Sequence, residues 1–259
     1  MTDKDKIIKL FQDNVKGKVP DTSAANQKHS GKAGHWLETQ MGISHNADNK
    51  PDLFGYEMKN KTTSGKVTYG DWGADEYIFI SDAQSNNTNK EFQFTRSQFL
   101  HAFGKPNASK NNRHSWSGTP CPTYYNDITT FGQHLTMDAN ENVIITYNFS
   151  KDTRVNKLTI VPAIMQRDEL ILAKWDKKSL KKKLEIKFND KGWFTCLQDT
   201  DGKYSEICFG PPMNYSSWIK LFKSKVVFFD SGMYDGNIRK YSQWRAKTGF
   251  WHSLITDRY

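Results

Sequence analysis

The sequence predicts an α/β fold in a single domain, and three observations carry that prediction. Apolar residues recur at helical spacing near the start, β-rich runs recur from Glu76 onward, and no Pro/Gly/Ser-rich linker or composition shift interrupts the 259 residues. With 36% hydrophobic residues the chain can bury a sizeable core, which excludes disorder throughout.

The elements follow in order. Ile7, Ile8, Leu10, Phe11 and Val15 lie near a 3.6 period, so a short amphipathic helix is expected over 4–15, followed by a polar stretch over 17–34. Positions 36–41 read as a second helix stopped by Gly42, with Glu38 near its middle. Leu53, Tyr56, Met58 and the run 76–80 read as strands separated by Gly65, Gly70 and Gly73. Phe99, Leu100 and Phe103 suggest a helix over 92–103, and 105–122 reads as a long polar loop. Strands are expected over 142–149, 158–165 and 226–230, and a hairpin over 192–209 around Asp201-Gly202. Between them, 174–187 carries seven lysines, with Trp175, Leu180, Leu184 and Ile186 partly at helical spacing. It reads as a surface helix with a solvated lysine face or as a phosphate contact.

Several functions are excluded early. The apolar runs fall short of the ~20 residues that a membrane helix needs. The start, Met1-Thr2-Asp3-Lys4-Asp5-Lys6, alternates charge and lacks a secretory core, so a cytoplasmic protein is expected. Cys121, Cys196 and Cys208 form no C-x-x-C pair and read as reduced thiols, the last two close together on the hairpin. His29, His35, His45, His101, His114, His134 and His252 show no zinc spacing. No G-x-S-x-G, Walker loop or G-x-G-x-x-G occurs, so serine hydrolases, NTPases and dinucleotide enzymes lose their anchors.

Charge points to a partner. Thirty-seven basic against 28 acidic residues give +9, which favours a polyanion, because each phosphate neutralised by Lys or Arg releases counterions. Segment 239–247 holds Arg239, Lys240, Arg245 and Lys247 without an acid, interleaved with Tyr241, Gln243 and Trp244. Arg and Gln suit bidentate contacts to guanine and adenine edges, and aromatics supply stacking surface. Arg113 and His114, beside Asn111-Asn112 in the polar loop, are further candidates for DNA contact.

The chemistry-bearing string is Pro51-Asp52-Leu53-Phe54-Gly55-Tyr56-Glu57-Met58-Lys59. On a strand, Glu57 and Lys59 point to one face, and a bend at Gly55 brings Asp52 to the same place. Two hard carboxylate oxygens beside one ammonium suit Mg²⁺, which polarises a phosphodiester and acidifies water, while Lys59 orients that water or compensates charge. Glu38 completes a second metal position, holds Lys59, or is an exposed helical glutamate. Lys61 contacts the scissile backbone or is a basic residue at a strand end.

Pro51-Asp52 followed by Glu57-x-Lys59 resembles the PD-(D/E)XK nuclease signature. The wider layout, from Glu38 through 99–107, the lysine-rich helix led by Trp175 and the basic loop before Thr248-Gly249-Phe250, is similar to the MutH/MvaI/BcnI-like branch of restriction and repair endonucleases. The resemblance implies one restriction-endonuclease-like domain over 1–259, with a mixed β-sheet flanked by helices and long DNA-binding loops. Its catalytic core would span about 34–105, with recognition elements over about 107–120 and 174–250. It implies a type II enzyme cutting double-stranded DNA at a short site with Mg²⁺, or Mn²⁺ as a substitute, to leave 5′-phosphate and 3′-hydroxyl ends. By the same resemblance Asp52 and Glu57 bind metal, Lys59 serves the attacking water and Glu38 assists as a further ligand. A monomer working beside a cognate DNA methyltransferase is implied as well. The branch often places histidines where this chain has Tyr241, Ser242, Gln243 and Trp244, so the bases read are expected to differ. A strand-nicking repair nuclease and a non-catalytic DNA-binding protein are the rival readings.

Overall fold

A computed structural model describes residues 1–23, 31–44, 49–62, 64–80 and 94–259; His29, His45 and Phe92 lie outside the described residues. In chain order these residues form α1 (Asp3–Asn14), α2 (Lys32–Gln40), β1 (Glu57–Met58), β2 (Lys66–Asp71), β3 (Glu76–Tyr77), α3 (Arg96–Phe103), β4 (Lys105–Asn107) and β5 (Arg113–Trp116). There follow β6 (Phe131–Met137), β7 (Val143–Asp152), α4 (Lys157–Ile160), β8 (Leu170–Trp175), α5 (Lys177–Phe188), β9 (Trp193–Gln198) and β10 (Tyr204–Gly210). The chain closes with α6 (Tyr215–Lys223), β11 (Phe228–Ser231), β12 (Met233–Tyr234), β13 (Ser242–Lys247), α7 (Thr248–Ser253) and β14 (Asp257–Arg258). No helix among the described residues is long and apolar enough to cross a membrane. The chain divides into two compact units, one of Met1–Tyr69, Lys181–Ile219 and Ala246–Tyr259, the other of Gly70–Leu180 and Lys220–Arg245.

The first unit is built on a mixed sheet of order β1-β9-β10-β14, in which β1 runs parallel to β9 and the remaining pairs are antiparallel. Thr2 and Asp5 close a capping box at the start of α1, satisfying backbone N–H groups that the first turn leaves open. Behind that cap, Ile7, Phe11 and Val15 join Leu37 and Met41 and pack on Met58, Phe194, Cys196, Ile207 and Phe209. Strand side chains alternate, so β9 shows Phe194 and Cys196 to this layer and turns Trp193 the other way, where its ring centroid lies 5.1 Å from that of Trp251. Cys196 pairs with Ile207 and Thr195 with Cys208, which puts the two thiols on opposite faces of the hairpin, both buried and free.

The second unit carries a sheet of order β3-β8-β7-β6 and a smaller one of order β12-β5-β4. Its core is aromatic: Trp175 meets Phe229 and Trp244 edge-on, with ring centroids 5.1 and 5.3 Å apart. Buried Gln133 accepts from Trp116 Nε1 and donates to the Phe103 carbonyl, both at 2.6 Å, so the polar groups enclosed there are paired.

Four sequence expectations change. Segment 158–165 is not a strand: α4 and a 3₁₀ turn over Ala163–Met165 flank Pro162, which cannot supply a strand's N–H, and Leu158 and Ile164 are exposed. Trp175 ends a strand and does not lead the lysine helix, which starts at Lys177. The loop 105–122 contains an antiparallel hairpin of β4 and β5, turned by Asn111 and Asn112 at φ 53 and 54. Asparagine tolerates that left-handed backbone, and a polar hairpin gives no hydrophobic alternation to read. Segment 239–247 is a loop only up to Tyr241, after which β13 pairs with β11.

Candidate active site

The string around Asp52 folds as a tight reversal. Leu53 and Tyr56 exchange backbone hydrogen bonds of 3.0 and 2.8 Å across Phe54 and Gly55, at φ 48 and 86. Gly55 is required on two counts: its φ is left-handed, and a Cβ there would stand 2.7 Å from Asp190 Oδ2. The turn returns the chain so that Asp52 Oδ2 accepts the Met58 N–H at 2.9 Å. On the other side of β1, Glu57 and Lys59 donate their backbone N–H groups to the Gly192 and Phe194 carbonyls of the neighbouring strand and its lead-in.

Because Glu57 pairs with Trp193 and Met58 with Phe194, the Glu57 and Lys59 side chains turn away from α1 and α2 toward the aromatic face. Both are buried, at 3% and 7% exposure. Lys59 Nζ donates to Glu57 Oε1 at 2.8 Å and to the Thr68 and Tyr69 carbonyls at 2.7 and 3.4 Å, which accounts for all three ammonium hydrogens. It stands 5.1 Å from the centre of the Phe188 ring and 5.9 Å from that of Trp251. Lys187, which the sequence reading did not single out, reaches Glu57 Oε1 at 3.1 Å from the last turn of α5. A signal for it was present: Lys187 lies three residues after Leu184 and one before Phe188, both fully buried, so it borders the inward stripe of its helix. Burial pushes the Glu57 carboxyl up and the Lys59 ammonium down from their ordinary values, and the attraction between the two charges opposes both shifts.

Glu57 Oε2 is buried without a hydrogen-bond donor among the described residues. An orphaned carboxylate oxygen costs free energy unless a cation or donor completes it. With the Asp52 carboxylate near enough for its charge to act on Glu57, the donor set is two hard oxygens. This suits a small divalent cation that keeps several waters. Among the described residues no group of three His, Cys, Asp or Glu side chains gathers to hold a metal, so Glu38 does not form such a group with Asp52 and Glu57. Glu38 lies on α2, 30% exposed, with its Oε2 3.3 Å from His35 Nδ1.

The residues expected to touch DNA are in varied settings. Lys61 and Lys247, in the first unit, are exposed, and Lys61 lies beyond the end of β1. In the second unit, Arg239 is 61% exposed and binds Asp71 Oδ2 at 2.7 Å, while Lys240 Nζ sits 4.7 Å from the centre of the Tyr77 ring. Arg245 reaches Asp230 Oδ2 at 3.2 Å and also donates to Gln243, so both potential base readers already bond within the protein. The Arg113 guanidinium lies 3.6 Å from the Tyr234 ring centre. His114 stacks on His101 with ring centroids 3.7 Å apart, and burial together with that neighbour holds its imidazole below the ordinary value. Trp244 is a correction: at 0% exposure, packed on Trp175, Phe222 and Phe229, it is a core residue and presents no face to DNA. Alternation along β13 explains this, since Ser242, Trp244 and Ala246 all turn inward.

Residues 15–259 match the family model described as LlaMI restriction endonuclease. The type II restriction enzyme ScrFI of Lactococcus lactis subsp. cremoris is 49% identical over 268 residues, covering 98% of this chain and 97% of that protein. Among solved structures, restriction endonuclease MvaI in complex with its cognate DNA substrate superposes with a TM-score of 0.57 at 13% identity, over 99% of this chain and 95% of that one. The last likeness shows a shared restriction-endonuclease-like fold.

Proposed function

The chain belongs to the LlaMI restriction endonuclease family and is a type II, site-specific deoxyribonuclease, and from that premise we propose that it hydrolyses double-stranded DNA at the Asp52–Glu57–Lys59 cluster with Mg²⁺. The observation that carries this reading is the buried Glu57 carboxylate with one oxygen gripped by ammonium groups and the other left open, beside Asp52.

Asp52 and Glu57 would hold the cation, with Mn²⁺ as a substitute. When bound, the ion supplies positive charge to the scissile phosphate and lowers the pKa of the attacking water. Water adds to phosphorus, the bond to the 3′-oxygen breaks, and the proton balance leaves a 5′-phosphate and a 3′-hydroxyl. Lys59, its three hydrogens taken by Glu57 and two carbonyls, fixes the Glu57 carboxylate and compensates charge as the phosphorane builds up. Arg113, His114, Arg239, Lys240, Gln243, Arg245, Lys61 and Lys247 would grip and read the duplex. The setting proposed is cytoplasmic, with the enzyme acting as a monomer beside a cognate methyltransferase.

The test is incubation with a long, sequence-diverse DNA, with Mg²⁺ or with EDTA, beside Glu57→Gln. Discrete fragments with Mg²⁺ alone, absent in the variant, are expected, and their ends give the site and the end chemistry. Equal cutting in EDTA, or by the variant, would remove the metal and Glu57 from the reaction.

A further inference from the structure

Two ammonium groups share Glu57 Oε1, and they are not equivalent. Lys59 is held by three acceptors and is 8% exposed at its side chain, whereas Lys187, 15% exposed, has Glu57 as its one hydrogen-bonding or ionic partner among the described residues. The helix that carries Lys187 is anchored on both sides of it: Glu185 accepts the Tyr215 N–H at 3.2 Å and the Phe188 carbonyl accepts the Met213 N–H at 3.1 Å. The backbone is therefore fixed while the four-carbon stem is free to swing. Charge balance gives that freedom a consequence. Asp52 and Glu57 against Lys59 and Lys187 make two negative and two positive charges, so the cluster is balanced without an ion. A divalent cation on the same carboxylates adds two positive charges and repels the more weakly held ammonium.

We propose that Lys187 is a positioning residue that fills the metal ion's electrostatic place at Glu57, is displaced when the ion binds, and then faces the scissile phosphate. This rests on the assignment of Asp52 and Glu57 as the metal carboxylates. A lysine in that position keeps the buried Glu57 compensated before the ion arrives, and its release puts a cation next to the anion on which charge develops. It also separates the two lysines by role, Lys59 fixing the carboxylate and Lys187 moving between carboxylate and phosphate.

The experiment measures Mn²⁺ binding to the DNA-free protein by the loss of the free-ion EPR signal, and separately the single-turnover cutting rate at saturating Mg²⁺. Lys187→Gln is expected to bind Mn²⁺ several-fold more tightly than wild type, because a competing cation is gone, and to cut at least tenfold more slowly. Lys187→Arg, which keeps the charge, should restore wild-type behaviour in both to within a few-fold. Lys187→Met, with its similar apolar stem, repeats the measurement should the glutamine melt early. Unchanged or weaker Mn²⁺ binding by the neutral variants, or cutting at the wild-type rate, overturns the proposal. Glu57→Gln serves as the separate control: if it still binds Mn²⁺ and cuts, the carboxylate assignment itself is wrong, whatever Lys187 does.

Discussion

Glu57 and Trp193 face each other across the parallel pairing of β1 with β9, and that register turns the Glu57 carboxylate to the side where Phe188 and Trp251 enclose Lys59. The same register makes Glu57 and Lys59 separable from the hydrophobic support, which Met58 supplies from the opposite face. Glu57→Gln and Lys59→Met are each expected to slow single-turnover cleavage by on the order of 10²–10³-fold, the loss typical of a removed charge-stabilising group. Duplex binding without metal, followed by fluorescence anisotropy, should change little. A parallel loss of affinity would make the cluster a DNA-holding feature.

Asp52 has two duties that substitution can pull apart. Its Oδ2 accepts the Met58 N–H at 2.9 Å and so ties down the open edge of β1. Asparagine can still accept that hydrogen bond but carries no charge, whereas alanine does neither. Asp52→Asn should therefore abolish cutting with a nearly unchanged melting temperature, and Asp52→Ala should abolish cutting and lose a further ~1 kcal/mol of stability. Differential scanning fluorimetry beside a cleavage assay reads both. Equal melting temperatures for the two variants would mean that the hydrogen bond contributes little.

Trp244→Ala is expected to cost about 3–5 kcal/mol, the range for an emptied aromatic core position. The ring has 0% exposure and touches Trp175, Phe222 and Phe229 within the second unit. Urea denaturation measures the cost, and affinity for DNA per folded molecule should stay the same. A stable variant with weakened binding would return Trp244 to the DNA-contacting set.

These two positions also show how far the sequence could be read. The Asp52-to-Lys59 string was legible because its information is local: a Gly at a left-handed turn and side chains two apart on a strand suffice to gather three groups. The first helix was legible too, since Ile7, Phe11 and Val15 sit on one periodic stripe. Trp244 misled because a tryptophan among bases looks like a stacking platform, and only its register with Phe229 in the sheet decides which way it points. Lys187 was hidden for the converse reason: its place beside the apolar stripe of Leu184 and Phe188 is local and legible, but its contact with Glu57 joins residues 130 positions apart, which no helical spacing encodes. Segment 158–165 failed on composition, where apolar residues around Pro162 imitated a strand while Leu158 and Ile164 stay exposed.

Arg239 and Arg245 should behave differently on DNA. Arg239 is 61% exposed and Arg245 is 19% exposed, its guanidinium fixed by Asp230 and Gln243. Arg239→Ala is expected to weaken binding evenly across sequences and to reduce the salt slope by about 1, as for a phosphate contact. Arg245→Ala should instead cost about 1–3 kcal/mol of discrimination between the cognate site and single-base variants, because a preset fork is suited to a base edge. Competition binding at several salt concentrations distinguishes them, and an even loss for Arg245 would reduce it to a phosphate or scaffold residue.

Asp152 gives the protein a stability component that depends on pH and is independent of the candidate site. It is 2% exposed and receives hydrogen bonds from Arg154 Nη2 at 2.6 Å and from the Tyr147 hydroxyl at 2.8 Å. Burial pushes its carboxyl up, but the hydrogen bonds from Arg154 and Tyr147 outweigh burial and hold it below the ordinary 3.8. Since the unfolded chain takes up this proton at a higher pH than the native one, the contribution is fully present above about 3.8 and is lost as pH falls through the lower native value. Asp152→Asn leaves the partly buried Arg154 without its counter-charge beside an enclosed amide and is expected to cost about 3 kcal/mol at neutral pH. Urea midpoints of wild type and variant between pH 7 and pH 3 measure this directly. The gap between them should hold steady down to about pH 4 and narrow below it, whereas a gap that widens in acid would mean that the native carboxyl titrates above the unfolded one and that burial, not Arg154, dominates it.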